Sequence, residues 1–580
     1  MPRLRHHILF AFILAVFGVF LVWPIYRVVS VGFFGIPEAG GGSFTLAYVA
    51  AIFQDPELRR GLLNSATIAV CVTILCTLIS VPLAILSTRF DFRGKAIMGG
   101  LLLVPLILPP FVGAIGMRQI LGRQGVLTSL AWSLGLVPEG TPIDWLGANR
   151  FLGVVLVEAL SLYPILFLNV SAALANLDPA MEQAAANLGA SRWTIFRRIT
   201  LPLMRPGLFA GGTIVLIWSF TELGTPLMFD FYDVTPVQVF HRLTQVSGNP
   251  VPYALVVVML VTSVLLYLGG KTLLGRRQDA AVSKATTATA PKRLRGLTSV
   301  LALLPFVVIS GLALLPHIGV VLTSVAGIGS WYQSALPKVF TVEHYAHALT
   351  HDLALPSVRN SVFYAACSMV IDIVLGVLLA YLIVRSKLPA TLRQLVDSLA
   401  MLPLAVPGLV LAFGYLAISL QLQSWFSDTK WLRDLVDVQE NPTFLLVVAY
   451  AMRRLPYVVR SAVAGLEQTP HDLELAAQNL GASRWMTLRR ITVPLIAANL
   501  VAGGLLAFAF AMLEVSDSLI LAQKQTHWPI TKAIYELFGR LGDGPFIASA
   551  LGVWAMVLLT LTILSASSLL GRRMGAIFRV

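Results

Sequence analysis

Two segments of the chain share a residue set suited to recognition chemistry. Residues 182–203 read EQAAANLGASRWTIFRRITLPL and residues 474–495 read ELAAQNLGASRWMTLRRITVPL, identical at 16 of 22 positions with a constant offset of 292. Each holds a carboxylate (Glu182, Glu474), small residues (Ala184 and Ala185, Ala476 and Ala477), a glycine (Gly189, Gly481) and a cation beside an aromatic (Arg192 and Trp193, Arg484 and Trp485). Such a set either anchors an amphipathic helix at the lipid headgroups or docks against another protein, the duplication favouring docking, and nothing in it activates a bond. A second pair of acids, Glu222 and Glu514, recurs at the same offset, with Asp230 and Asp233 beyond the first and Asp517 beyond the second. A bare carboxylate facing lipid is costly, so these groups are expected to face the interior or a partner, paired with Arg118, Arg359 or a backbone donor, or grouped as an acidic vestibule that attracts cations.

Catalytic patterns are missing. Gly269-Gly270-Lys271-Thr272 is the nearest string to a phosphate-binding loop, but position 265 is Leu and G-x-x-x-x-G-K fails. The sequence holds no Ser/His/Asp set, no HExxH and no Cys/His cluster, and Cys71, Cys76 and Cys367 lie in apolar stretches as packing residues. No catalytic residue, metal ligand or cofactor bound by this chain is expected.

The elements that position these residues follow from composition. Of 580 residues 57% are hydrophobic and 12% charged, against roughly 25% charged in soluble chains. A soluble globular enzyme is excluded, as are disordered and disulfide-stapled chains, and a multi-spanning, all-α membrane protein remains. A crossing helix needs about 20 apolar residues. Twelve such runs are expected, near 8–34, 61–87, 98–120, 151–176, 207–229 and 251–271, then 297–325, 360–384, 397–421, 443–464, 499–523 and 546–570. The first, behind Arg3 and Arg5, imitates a secretory signal and is read as a retained span.

With the N-terminus inside, 28 of the 42 Lys and Arg fall in inside segments. This bias places both termini in the cytoplasm and accounts for the net charge of +14 without nucleic acid. The basic, Ala/Thr-rich stretch around 276–296 reads as a flexible cytoplasmic linker between a first repeat (1–275) and a second (297–580). Six spans per repeat in the same direction imply a pseudo-two-fold axis along the membrane normal, with a pathway between the halves. Pro105 and Pro109 match Pro403 and Pro407, so spans 3 and 9 are expected to break at equivalent places, as a packed kink or a pathway lining. The duplicated loops, about 177–206 and 469–498, are the most alike part of the two halves.

Local chemistry shapes each loop. Asp178-Pro179 and Thr469-Pro470 offer an N-cap and first helical residue. Gly189 and Gly481 stop that helix in a left-handed cap, and Ser191 and Ser483 cap a second one. Pro202 and Pro494 are expected to bend the chain back toward the membrane.

The pattern E-x-A-A-x-x-L-G-A-S-x-W with a following I-T-x-P resembles the EAA loop of ATP-binding-cassette importer permeases, and it occurs twice. The resemblance implies a type I importer permease with both subunits fused, spans 2–6 and 8–12 forming the family core. It implies that Glu182, Ala184, Ala185, Gly189, Arg192 and Trp193, with Glu474, Ala476, Ala477, Gly481, Arg484 and Trp485, couple to two copies of a cytoplasmic ATPase, which would carry the ATP and Mg. A separate periplasmic or extracellular binding protein would deliver solute, and the site of action would be the inner membrane. One departure stands out: the family's central Glu is Gln183 in the first loop and Leu475 in the second, with Glu182 and Glu474 one position earlier. Any gripping role of that acid would have to be carried by the shifted Glu. In layout the chain is most similar to ferric-iron permeases, with thiamine, polyamine and phosphonate permeases also similar. An ion-gradient-driven carrier is the remote rival, and it leaves the duplicated loop unexplained.

Overall fold

In hydrocarbon no water satisfies backbone N–H and C=O groups, so long apolar runs close their hydrogen bonds internally as helices. The computed structural model describes residues 2–36, 41–107, 110–146, 150–175, 177–274, 291–331 and 334–570. Among the described residues nine helices are long and apolar enough to cross a membrane: α1 His6–Phe34, α2 Pro56–Arg89, α3 Phe151–Ala175, α4 Arg192–Phe220, α5 Val251–Thr272, α6 Leu297–Val325, α7 Ala354–Val384, α8 Gly408–Trp425 and α9 Gly544–Ser565. Two bent pairs, Lys95–Leu106 with Pro110–Ser133 and Arg484–Leu495 with Ala497–Met512, raise the number to eleven if each is one span.

A further helix, Thr443–Gln468, has 26 residues, about 39 Å at 1.5 Å per residue. It matches the expected span 443–464 in length, but every 18-residue stretch of it holds Arg453, Arg454 and Arg460.

Besides the run 98–120, which falls across the first bent pair, three expected spans differ from the fold in where they break or end. The run 397–421 is split into Ala390–Ala405 and α8, because Val406 and Pro407 take extended backbone. The runs 207–229 and 499–523 end as helix at Phe220 and Met512. Glu222 and Glu514 therefore lie past helix ends rather than in the outer part of spans. The short helices that follow, Gly224–Met228 and Ser516–Leu521, are buried at every residue, the setting in which broken backbone is tolerated at membrane depth.

Packing divides the chain into two units that cut across the sequence repeats. One comprises Met1–Arg59, Gln238–Leu260 and Glu343–Ile577, so α1 packs with the core of the second repeat. The Tyr415 hydroxyl donates to the Phe20 carbonyl, Trp23 stacks on Trp425 with ring centroids 5.6 Å apart, and Tyr253 meets Phe413 edge-on at 5.1 Å. The other unit comprises Arg60–Val237 and Val261–Val342, and in it α6 of the second repeat packs against Pro110–Leu121 of the first. Its α2 and α3 are joined by Ser80 Oγ donating to the Tyr163 carbonyl at 2.9 Å and Cys76 Sγ to the Ala159 carbonyl at 3.4 Å. Cys76 is thus a buried packing residue, as its surroundings in the sequence implied.

Most of the expected linker, residues 275–290, lies outside the described residues. Its end is not free: Lys292–Arg293 pairs in parallel with Phe90–Asp91 as a two-residue ladder, and Leu294 N donates to the Asp91 carbonyl at 2.8 Å.

The seat of α1 on α8 yields a test. Tyr415→Phe removes one buried hydrogen bond, worth about 1 kcal/mol, and Trp23→Ala removes a stacked pair worth about 0.5–1.5 kcal/mol beyond its buried area. Both are expected to lower the thermal midpoint of the detergent-solubilised chain, the double variant more than either single one. Unchanged midpoints would mean that α1 is not anchored through these contacts.

Candidate functional site

The duplicated loops fold into two near-identical pairs of short helices. In the first, Pro179–Asn187 is capped by Asp178, whose Oδ1 accepts from Ala180 N at 2.9 Å. In the second the expected cap fails. The Thr469 hydroxyl donates instead to the Gly465 carbonyl at 3.0 Å, and the helix begins later, at Asp472, behind His471. Both helices end as expected. Gly189 has φ 83° and Gly481 φ 90°, and the turn closes with Ala190 N on the Ala185 carbonyl and Ala482 N on the Ala477 carbonyl, both 3.0 Å. This double-bonded stop needs a left-handed residue, which glycine adopts without strain. Ser191 and Ser483 then cap the next helix, accepting from Thr194 N and Met486 N at 3.2 Å.

After a π turn in each copy (Phe196–Thr200, Leu488–Thr492) the symmetry ends. Pro202 is expected to bend the chain, yet Arg192–Phe220 continues through it as one helix. In the second copy Arg484–Leu495 and Ala497–Met512 meet at 73°.

The loop helices present one face outward and one inward. Outward stand Gln183 and Leu475, Ala184 and Ala476, and at the turn Leu188 and Leu480, 89% and 90% exposed, with Trp193 and Trp485 each 68% exposed beside Arg192 and Arg484. Inward stand half-buried Ala185 and buried Ala477, along with the two acids. Glu182 binds Arg89 and accepts from Thr200 Oγ1 at 2.5 Å. Glu474 takes Arg385 Nε at 3.3 Å. Both shifted acids are thus turned inward onto arginines of their own chain.

The pathway candidates behave differently in the two units. In the second repeat Glu514 lies between Arg453 and Arg454 and is 3% exposed. Arg453 Nη1 is 3.7 Å from Asp517 Oδ2. A Cβ on Gly408 would stand 1.9 Å from the Arg453 guanidinium, so the Pro407-Gly408 break is where that guanidinium rests. Gly408, directly after Pro407, thus converges with Glu514 and Asp517 on Arg453, which lies within the expected span 443–464. The signal was present: two adjacent arginines well inside an expected span require compensating acids. Two guanidiniums against two carboxylates leave this cluster formally neutral, so Glu514 contributes no bare charge to an acidic vestibule.

In the first repeat Ser161 and Leu162 stand at the offset-292 positions of the two arginines. There Glu222 Oε1 accepts from Thr225 N at 3.3 Å, and buried Glu158 takes the Ser219 hydroxyl. Arg118, one expected partner of Glu222 or Glu514, binds Asp230 at 3.0 Å. Pro109 lies outside the described residues. Among the described residues no group of His, Cys, Asp or Glu could hold a metal ion.

Two exposed Gly-turn loops stand on a duplicated, multi-spanning helical scaffold, which defines a polytopic membrane protein. Residues 77–279 and 372–574 each match the family described as binding-protein-dependent transport system inner membrane component, and the chain belongs to that family, carrying its domain twice as a fused importer permease. It is 27% identical over 518 residues to a putative ferric transport system permease protein FbpB 1 of Haemophilus influenzae, covering 87% of this chain and 76% of that one. Identity is also 27% over 557 residues with a ferric transport system permease protein FbpB of Actinobacillus pleuropneumoniae, covering 94% and 75%. The molybdenum transport system permease protein ModB of Escherichia coli is 34% identical over 185 residues, 31% of this chain and 74% of that one.

The charged cluster makes a prediction that separates balance from mere contact. Glu514→Leu leaves two half-buried guanidiniums against one carboxylate, an imbalance expected to cost about 3 kcal/mol, the lower end for breaking a buried pair. Adding Arg454→Met restores one against one and should recover a large part of the loss in thermal midpoint. A double variant no more stable than the single one would show that charge balance does not hold this site.

Proposed function

We propose that this chain is the membrane-spanning component of an ATP-driven importer, with both termini cytoplasmic, whose two loops seat in two copies of a cytoplasmic ATPase. The observation that carries this reading is the pair of outward Leu and Trp side chains on each Gly turn, Leu188 with Trp193 and Leu480 with Trp485. Apolar groups so exposed, ringed by Arg and Asn, mark an interaction surface, and two copies in one chain call for two partners. ATP and Mg would be handled by those partners, and solute would arrive on a separate binding protein. Ferric iron is the solute this reading favours, supported by two relatives named for ferric transport, of which 76% and 75% is covered.

A second solute class is favoured by one observation. One relative, 34% identical over 185 residues, is named for molybdenum transport, and molybdenum is carried in water as an oxyanion. A phosphonate or similar anion is the alternative on that ground.

Uptake into proteoliposomes containing the chain, its ATPase and its binding protein decides between them. Labelled ferric iron should enter on ATP addition while a phosphonate or molybdate does not. The reverse would replace iron by an anion, and ATP-independent uptake would remove the importer reading.

The loops yield a further expectation. Gly189→Val and Gly481→Val place a β-branched residue at left-handed backbone, a strain of about 1–2 kcal/mol each. The double variant should reach the membrane yet lose solute-stimulated ATP hydrolysis. Stimulation at the parental level would show that the Gly turns do not shape the docking surface.

A further inference from the structure

Each docking loop is tied to its own unit by one ion pair, and the two pairs stand at matching places. Arg89 is the last residue of α2 and holds Glu182; Arg385 directly follows α7 and holds Glu474. The arginines are 296 positions apart, the same offset that relates Asn64-Ser65 to Asn360-Ser361. The acids are 292 apart, as the loops are. The pairing is therefore repeated by the duplication, although its two halves come from elements about 90 residues apart in sequence.

Around this shared core the two sites recruit different third elements. Thr200 Oγ1 donates to Glu182 and so ties in the π turn that leads into α4. In the second site Arg385 Nη2 donates to the carbonyls of Leu466 at 3.0 Å and Thr469 at 2.6 Å, which ties in the end of Thr443–Gln468. His471 Nδ1 lies 3.4 Å from the other Glu474 oxygen.

A helix of eight or nine residues is marginal alone, and each docking helix runs straight into a Gly turn able to pivot. Without a side-chain tie, a push on Leu188 or Leu480 would rotate the short helix about that turn and go no further. Glu474, its side chain 4% exposed, has no surface left for a partner.

We propose that Arg89 and Arg385 are positioning residues for coupling: each clasps the inward carboxylate of its docking helix, Glu182 or Glu474, so that helix and α2 or α7 move as one body. The inference rests on the importer reading above. It assigns the displaced acids of the loop an inward, force-transmitting role in place of an outward, gripping one. The clasps differ in what they carry, α4 in the first unit and the helix Thr443–Gln468 in the second.

The test uses the full chain with its ATPase and binding protein in proteoliposomes, with the ferric-loaded binding protein as stimulus. Co-purification, basal hydrolysis and stimulated hydrolysis are read separately. Glu182→Gln and Glu474→Gln should keep co-purification and basal hydrolysis while stimulation falls about tenfold, within the usual range of coupling between sites. The exchange variants add a readout that a merely structural role would not move. Arg89→Glu/Glu182→Arg should regain stimulation, because the Thr200 hydroxyl accepts as readily as it donates. Arg385→Glu/Glu474→Arg should not, because a carboxylate at 385 would face the Leu466 and Thr469 carbonyls. Full stimulation in both Gln variants overturns the clasps, and so does loss of co-purification, which would make the acids partner contacts. A parental chain that binds no ATPase would instead bring down the importer reading itself, a result visible before any variant is compared.

Discussion

Lipid offers no water to a stray charge or an open backbone group, and the internal arrangement of this protein depends on that constraint. The helix Thr443–Gln468 carries Arg453 and Arg454 well inside its length, and the fold answers them with Glu514 and Asp517 from the turn after Met512. The same rule governs the backbone. Where α4 and Ala497–Met512 end, the chain does not emerge but continues through the fully buried segments Gly224–Met228 and Ser516–Leu521. Irregular backbone is kept inside protein because nothing outside would satisfy it.

Duplication gave the two repeats the same loop but not the same surroundings. The loops agree down to the serine caps and the left-handed glycines, since these are set by local bonds within about twenty residues. Beyond the π turns they part. One copy runs on as a continuous helix and the other turns by 73°. Thr469 shows the same divergence on a smaller scale: its hydroxyl bonds back to Gly465 and leaves the docking helix to start later than in the first copy.

Each repeat lends its first span to the other repeat's core. Tyr415, Trp425 and Phe413 of the second repeat are covered by Phe20, Trp23 and Tyr253 of the first, so neither half of the sequence is a packing unit by itself. A fused permease of this family keeps these reciprocal contacts within one chain, where association carries no concentration dependence.

The sequence by itself determined the class of protein, most of the long apolar helices and the local shape of the duplicated loops. Hydrophobic runs, glycine caps and serine caps act over one span or one turn, and these are visible in the order of residues. It did not determine where Glu182, Glu474 and Glu514 point. The partners Arg89, Arg385 and the Arg453-Arg454 pair lie about 60 to 90 positions away, and no local pattern links residues so far apart. Only the packing of α2 on its loop, of α7 on the other, and of Thr443–Gln468 against the turn after Met512 chose those pairs, since a buried charge takes the counter-charge that tertiary structure brings within reach.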